Sequence, residues 1–285
     1  MRKFIISDIH GVGNVYYAIM GYLDNLSKEE EIELYINGDL IDRGPDSANV
    51  LLDIKKRVEG KKYKIVYLGG NHELMMYRVF EARKKSAYSI ELYDWYENGG
   101  RITDNSLEKI LNKEEILDVA SFIGNLKIYH KFNEKINGKN IVLVHAACPL
   151  KVKDECDWHI NDDYEKIFYY VWAREENPYM PFRCKIGNED YFTIVGHTPN
   201  DNKYGYEYHK NQNYLNIDSG CAVYAQGIYD YNHVPLVEIK DDYLEILTFD
   251  NYNEIICGNY FNGTKSIPMS SNELKCAKRY IKEKK

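Results

Sequence analysis

The chain has 285 residues, with 37 Lys and Arg against 44 Asp and Glu for a formal charge of −7, and 44% of its residues are hydrophobic. That length buries a large core in one big domain or two small ones, and an acidic balance without a basic block in the body excludes an extended nucleic-acid surface. No run approaches the ~18 apolar residues of a membrane span, and Met1-Arg2-Lys3 leads straight into an apolar strand rather than a signal peptide, so a cytoplasmic protein without a membrane partner is expected.

Residues 4–7 (FIIS) read as a short strand, with Asp8-Ile9-His10-Gly11 at its carboxyl end and helical spacing over 15–26. Residues 32–36 form the next strand. It ends in Asn37-Gly38-Asp39-Leu40-Ile41-Asp42-Arg43-Gly44-Pro45, after which Asp46 or Ser47 can cap a helix reaching about residue 58. A third strand over 63–68 (YKIVYL) runs into Gly69-Gly70-Asn71-His72-Glu73, and helical spacing resumes at Leu74. The glycines allow close backbone approach.

Strand, polar tip and helix thus recur three times, with Asp8, Asp39 and Asn71 spaced 31 and 32 residues apart. This is the spacing of successive βα units, whose right-handed crossovers put the three tips on one sheet edge. Ligands bind outside the carboxyl ends of such strands, so the tips should converge.

From 74 to about 123 the pattern is helical and charged, broken at Asn98-Gly99-Gly100, which predicts a helical insertion beside the sheet that can wall the site. Strands are expected at 126–129 and 140–144, joined by a turn at Asn137-Gly138, and the second delivers His145. A loop over 153–163, a helix over 164–175 carrying Trp172 and Arg174, and a strand over 191–195 ending in Gly196-His197-Thr198-Pro199 follow. Short strands at 214–217, 223–229, 236–239 and 243–247 read as a meander closing a second sheet. The tail has a capping box, Ser270 with Glu273, opening a short helix. The expected division is a catalytic domain over 1–250 and a C-terminal extension with a short helix over 251–285. Cys148, Cys156, Cys184, Cys221, Cys257 and Cys276 include no CxxC pair and are read as free thiols packing as small hydrophobes.

Five strand ends therefore offer Asp8 and His10, Asp39 and Asp42, Asn71 and His72, His145, and His197. Carboxylates, imidazoles and an amide, with no thiolate at any tip, suit borderline divalent ions such as manganese, iron or zinc. There are too many ligands for one ion, and one aspartate shared by two would account for that. Two such ions polarise a phosphoryl group and acidify a water that attacks phosphorus in line. Taken singly, Asp8, Asp39 and Asn71 serve equally well as helix caps, His145 and His197 as hydrogen-bonded core histidines, and Arg43 as a surface partner of Asp46. Their ordered company favours a site.

SDIHG, GDLIDRG, GGNHE, LVHA and IVGHTP, in that order over residues 3–226, resemble the signature of the PPP-type metallophosphoesterases, the phosphoprotein phosphatase superfamily. GNHELMM, NGG at 98–100, VWARE around Arg174, VGHTP and IDSG at 217–220 are similar to the small bacterial and lambda-phage-type serine/threonine protein phosphatases. The resemblance implies an α/β fold of the calcineurin-like kind, two packed mixed β-sheets flanked by helices. It further implies that Asp8 and His10 hold a first metal and that Asp39 bridges to a second, completed by Asn71, His145 and His197. His72 would be the general acid with Asp42 holding its ring, and Arg43, Arg174 and Asn71 would bind the phosphate. The implied reaction is direct attack on phosphorus by a hydroxide bridging two divalent cations, manganese first, with iron or zinc as alternatives. Ser7 stands where many relatives carry glycine, and the eukaryotic members' C-terminal groove and inhibitor features have no clear counterpart.

The expected substrate is a phosphoprotein or phosphopeptide carrying phosphoserine or phosphothreonine, with phosphotyrosine also in range. A symmetrical dinucleoside polyphosphate hydrolase, acting on diadenosine tetraphosphate, would use the same metal motifs. A catalytically inactive phospho-ligand-binding module would lack a ligand or the acid, whereas every expected position is filled.

Overall fold

The computed structural model describes residues 1–85, 90–148, 157–174, 185–186, 189–209, 213–222, 233–250, 254–263 and 265–279. The first three apolar runs become β1 (Arg2–Ile6), β2 (Ile32–Asn37) and β3 (Lys64–Leu68), separated by α1 (Gly13–Leu26) and α2 (Ser47–Gly60), and β3 runs into α3 (Asn71–Lys84). The strands are parallel, with Ile5 beside Tyr35 and Tyr35 beside Val66, so their carboxyl ends share one edge. Every residue of β2 is buried, as a strand covered on both faces requires.

The charged helical stretch forms α4 (Ile90–Glu97), α5 (Arg101–Ile110) and α6 (Lys113–Gly124). The break at 98–100 has Gly99 at φ +94, a conformation that favours glycine. Asn112 caps α6 by accepting from the N–H groups of Glu114 and Glu115, and α3 packs on both α4 and α6.

The chain continues through β4 (Tyr129–Ile136), β5 (Lys139–Val144), α7 (Tyr164–Trp172), the two-stranded pair β6 (Lys185–Ile186) and β7 (Glu189–Asp190), then β8 (Phe192–Val195), β9 (Glu207–His209) and β10 (Tyr214–Asn216). Five of these strands make a second sheet in the order β4-β5-β8-β10-β9. Asn137 and Gly138 turn the β4–β5 hairpin with φ of 53 and 73, the left-handed pair that matches strand twist. The strand expected from 126 begins only at Tyr129, and Lys127 forms isolated bridges with Leu68 and His159.

β11 (Val234–Ile239), β12 (Leu244–Phe249), β13 (Ile255–Phe261) and β14 (Ser266–Pro268) follow, and α8 (Ser271–Lys278) closes the described chain with the Ser270–Glu273 capping box in place. The expected meander needs correction here. β10 does lie in the second sheet, but β11 to β14 extend the first, in the order β14-β13-β12-β11-β1-β2-β3. β11 pairs antiparallel with β1, Lys3 opposite Ile239. Alternation marks a strand but not its neighbour; here the Arg2 guanidinium donates 2.7 Å hydrogen bonds to both carboxylate oxygens of Glu238. The strand expected at 223–229 lies outside the described residues.

Ile5, Tyr35 and Val237 of the first sheet meet Phe132, Leu143, Phe192 and Ile194 of the second in one apolar layer, and a larger cluster joins the first sheet to the helices. No helix among the described residues is long and apolar enough to cross a membrane. Cys221, Cys257 and Cys276 form no disulfide, but Cys148 is disulfide-bonded, which corrects the free-thiol reading there; Cys156 and Cys184 lie outside the described residues. Spacing along the chain does not reveal when folding brings two thiols within bridging distance.

Candidate metal centre

The strand ends meet in unusual backbone geometry. Asp8, His10, Asp39, Asp42, Arg43 and His197 all have φ between 48 and 72, left-handed values that cost ~1–3 kcal/mol each outside glycine. Bonds between the tips hold them there: His10 N–H donates to Asp39 O at 2.9 Å, Gly11 N–H to Leu40 O at 2.7 Å, and Gly44 N–H to His10 O at 2.8 Å. Gly70 leaves the space this needs, since a Cβ there would lie 2.3 Å from Asp39 Oδ1.

Asp39 stands at the centre. Its Oδ2 lies 3.3 Å from His145 Nε2, 3.6 Å from His10 Nε2 and 3.8 Å from His72 Nε2. Two groups whose ligand atoms all fall within 4.8 Å of one another therefore share it: His10, Asp39 and His72 on one side, and Asp39, His145 and His197 on the other. Asn71 Oδ1 sits 3.1 Å from His145 Nε2 and 2.8 Å from His197 Nδ1, which adds an amide oxygen to the second group. Asp8 belongs to neither group. Its oxygens accept from the Ser7 hydroxyl and, at 3.0 Å, from His197 N–H. All of these side chains are buried.

The donor set fits divalent cations. Among the described residues His197 Nε2 is buried without a hydrogen-bond partner, an orphan lone pair or N–H that needs a reason. Burial opposes charge on His145, yet Asp39 and then Asp8 push its imidazole up to about 10. Asp39 is itself held well below the usual carboxylate range, against burial, by His145 and His72. The Asp39 carboxylate thus stays ionised at the centre of the cluster, a charge with which a cation can pair. Burial pushes His197 well down, reinforced by His145, and His10 likewise, reinforced by Arg43; neutral imidazole is the metal-binding form.

Beside these groups His72 is pinned from behind. Its Nδ1 lies 2.7 Å from Asp42 Oδ2, which also accepts from Trp95 Nε1 at 2.7 Å, while the Thr103 hydroxyl donates to Asp42 Oδ1 at 2.5 Å. Arg43 reaches across the front, its guanidinium 2.9 Å from both His10 Nε2 and His72 Nε2, and its N–H donates to Gly99 O at 3.2 Å. The NGG break is thereby tied to the site. Arg174 lies farther out, exposed, donating at 3.4 Å to the Thr198 hydroxyl next to His197.

Ten site residues were expected from the sequence: Asp8, His10, Asp39, Asp42, Arg43, Asn71, His72, His145, Arg174 and His197. All ten gather around this edge, Arg174 at the rim. Sequence reasoning missed the residues that hold them. Glu73 accepts from Asp39 N–H (2.8 Å), Gly70 N–H (2.9 Å), Leu40 N–H (3.0 Å) and the Tyr67 hydroxyl (2.7 Å), binding two strand tips to the start of α3. Its place three residues after Gly70, reaching back to the Gly70 N–H, is the glutamate half of a capping box, and without a Ser or Thr at position 70 the sequence signal is incomplete. Trp95 and Thr103 had no local signal. Asp218, from the IDSG stretch, is buried and pushed up to about 6 by burial, with Asp39 adding to the shift.

The sequence profile of the calcineurin-like phosphoesterases matches residues 1–258. Among curated proteins, the symmetrical bis(5'-nucleosyl)-tetraphosphatase of Erwinia tasmaniensis is 33% identical over 98 residues, 34% of this chain and 33% of that protein. The asymmetrical bis(5'-nucleosyl)-tetraphosphatase PrpE of Oceanobacillus iheyensis is 25% identical over 238 residues, 78% of this chain and 85% of that one. The matches to the first-ranked symmetrical enzymes span between 29% and 59% of those proteins. Among solved structures, a cold-active protein tyrosine phosphatase superposes with a TM-score of 0.54 at 12% identity, over 96% of this chain and 80% of that one, a likeness of fold.

Proposed function

The chain belongs to the calcineurin-like phosphoesterase family, and we propose that within it the protein is a metal-dependent phosphomonoesterase acting on phosphoserine and phosphothreonine in proteins. The observation that carries metal-dependent phosphoester hydrolysis is the Asp39 carboxylate set between His10 on one side and His145 and His197 on the other, with His72 pinned by Asp42 beside it; the choice of phosphoserine and phosphothreonine rests on the resemblance carried by GNHELMM, NGG and VWARE. Asp8, His10, Asp39, Asn71, His145 and His197 would hold two divalent cations. When bound, such a pair acidifies water and withdraws charge from a phosphoryl group.

The chain's own residues do the rest. Asp42 keeps Nδ1 of His72 occupied, so the opposite nitrogen, which faces the Arg43 guanidinium at 2.9 Å, would meet the substrate and give a proton to the departing serine or threonine oxygen once a phosphate draws that guanidinium away. An alkoxide leaves poorly without that proton, and a positioned acid contributes ~10²–10⁴-fold. Arg43 carries a permanent fork of donors at the same edge and Arg174 a second at the rim; guanidinium matches phosphate oxygens in pairs, which lysine does not.

A second reading, hydrolysis of a dinucleoside polyphosphate, draws support from the names of the curated relatives. Purified protein with manganese, given a phosphothreonine peptide, p-nitrophenyl phosphate and diadenosine tetraphosphate side by side, separates the two. Faster release from the peptide is the expected result, and turnover of the tetraphosphate alone would overturn the protein-phosphatase reading. His72→Asn should keep the fold and the bound metal while losing ~10²–10⁴-fold in kcat. Unchanged kinetics would remove His72 from the acid role.

A further inference from the structure

Two adjoining cavities of about 320 and 400 Å³ share Leu74, Arg78, Glu91 and Tyr164, and together they form a groove along α3. Its floor is the face of the helix whose first turn carries Asn71 and His72. The side chains of this stretch that line it run from Leu74 to Lys85, ~16 Å at the helical rise of ~1.5 Å per residue, enough for about five residues of extended chain at ~3.3–3.4 Å each. At the inner end Trp172 packs edge-on against His197, ring centroids 6.0 Å apart, and Asn98 precedes the Gly99 carbonyl that holds Arg43. The inner end of the groove is therefore one side chain, Trp172, away from the metal centre.

Its walls differ in chemistry. One is aromatic, made by Tyr164, Phe168 and Trp172 of α7; the other is acidic, made by Glu91, Asp94 and Glu97 of α4. Arg78 lies 4.3 Å over the Tyr164 ring and 3.9 Å from Glu91, so one wall carboxylate already has a cation. Asp94 and Glu97 are exposed, and neither forms an ion pair among the described residues. Carboxylates facing aromatic rings across a narrow cleft suit a guanidinium or ammonium group, which the rings attract through their faces and the carboxylates through charge. Aromatic rings also stack nucleobases, but a tetraphosphate chain led along this groove would run beside two carboxylates lacking cations.

We propose that the α3 groove is a specificity subsite for an extended phosphopeptide carrying an arginine or lysine a few residues from the phosphorylated side chain, with Asp94 and Glu97 as its selecting residues; this rests on the protein-phosphatase reading above. The test compares phosphothreonine peptides identical but for Arg or Ala two to four residues away, on wild type and on an Asp94→Asn, Glu97→Gln double variant. p-Nitrophenyl phosphate, too small to occupy the groove, serves as the control in both. Wild type should favour the Arg peptide by about 5-fold in kcat/KM, the upper end for ion pairs with exposed carboxylates. The double variant should treat the two peptides within about twofold and hydrolyse p-nitrophenyl phosphate as wild type does, the charges being worth little elsewhere. Equal turnover of the Arg and Ala peptides by wild type, or a preference that survives in the variant, overturns the subsite and leaves the phosphatase reading standing. Hydrolysis of p-nitrophenyl phosphate and diadenosine tetraphosphate with none of any phosphopeptide overturns both.

Discussion

Replacing Glu73 by glutamine tests whether one buried carboxylate holds the metal centre's strand tips. Glu73 is completely buried and its two oxygens accept four bonds, Oε2 from the N–H groups of Asp39 and Gly70, Oε1 from Leu40 N–H and the Tyr67 hydroxyl. Glutamine keeps one oxygen. Its best placement turns the amide oxygen to Asp39 and Gly70 and the NH₂ to Tyr67, whose hydroxyl can rotate to accept, leaving Leu40 N–H facing another donor. One orphaned buried N–H costs ~1–3 kcal/mol, and two bonds that change from charged to neutral acceptors lose ~1 kcal/mol each. Against that stands relief of a buried charge that burial and Asp39 both disfavour, as the raised Glu73 pKa records, which holds the net below the ~3–5 kcal/mol sum of those losses. The net is a loss of ~2–3 kcal/mol. With m of ~2–3 kcal/mol/M in urea, the unfolding midpoint followed by tryptophan fluorescence should fall by about 1 M at unchanged m. Glu73→Ala, which orphans all four donors and opens a cavity, should fall at least twice as far. A midpoint for Glu73→Gln within error of wild type, or equal to that of Glu73→Ala, refutes the reasoning.

Gly196→Ala should empty the centre while leaving the sheet standing, because a Cβ at 196 would lie 2.0 Å from Asp8 Oδ2 and 2.3 Å from Ser7 Oγ; retained metal stoichiometry by elemental analysis would count against it. His130, between Tyr35 and Phe132 with ring centroids 4.7 Å from each, is pulled down to about 4, first by burial and then by Lys64. Its folded pKa lies below the unfolded value, so the unfolded chain binds more protons between pH 6.5 and 4 and stability falls as the pH drops through that window. Discounting for partial exposure, the loss is ~1–2 kcal/mol, and His130→Phe should flatten the urea-midpoint profile over pH 4–7; an unchanged slope would dismiss the assignment.

The parts legible in the sequence were those written locally. Apolar β-branched runs ending in Asp8, Asp39 and Asn71 announced parallel strands with polar tips, and the right-handed crossover rule turned equal spacing into a shared edge. The breaker at 98–100 and the turn at 137–138 likewise follow from single-residue backbone preference. What remained hidden depends on contacts between distant residues. Nothing near Asp42 indicates that Trp95 and Thr103, 53 and 61 positions away, hold its carboxylate. The partner of β11 was hidden in the same way, since an alternating strand fits either sheet and the choice was made by residues at the far end of the chain. The Asp8 carboxylate turned toward Ser7 and His197 shows that a residue's position in a motif does not state which way its side chain points.

The pairing of Lys3 with Ile239 bears on how the protein is made. Translation delivers β1 first and its second neighbour more than two hundred codons later. For most of synthesis a strand rich in isoleucine therefore exposes one bare flank of amide and carbonyl groups, the kind of flank that recruits stray chains. A ribosome stalled between the codons of His72 and Val234 would release a species with the first half of its metal centre in place, no His197 to complete it unless the stall came late, and an adhesive border. Damage to the codons of β11 to β14 should thus reveal itself as clumped protein before it reveals itself as slow turnover.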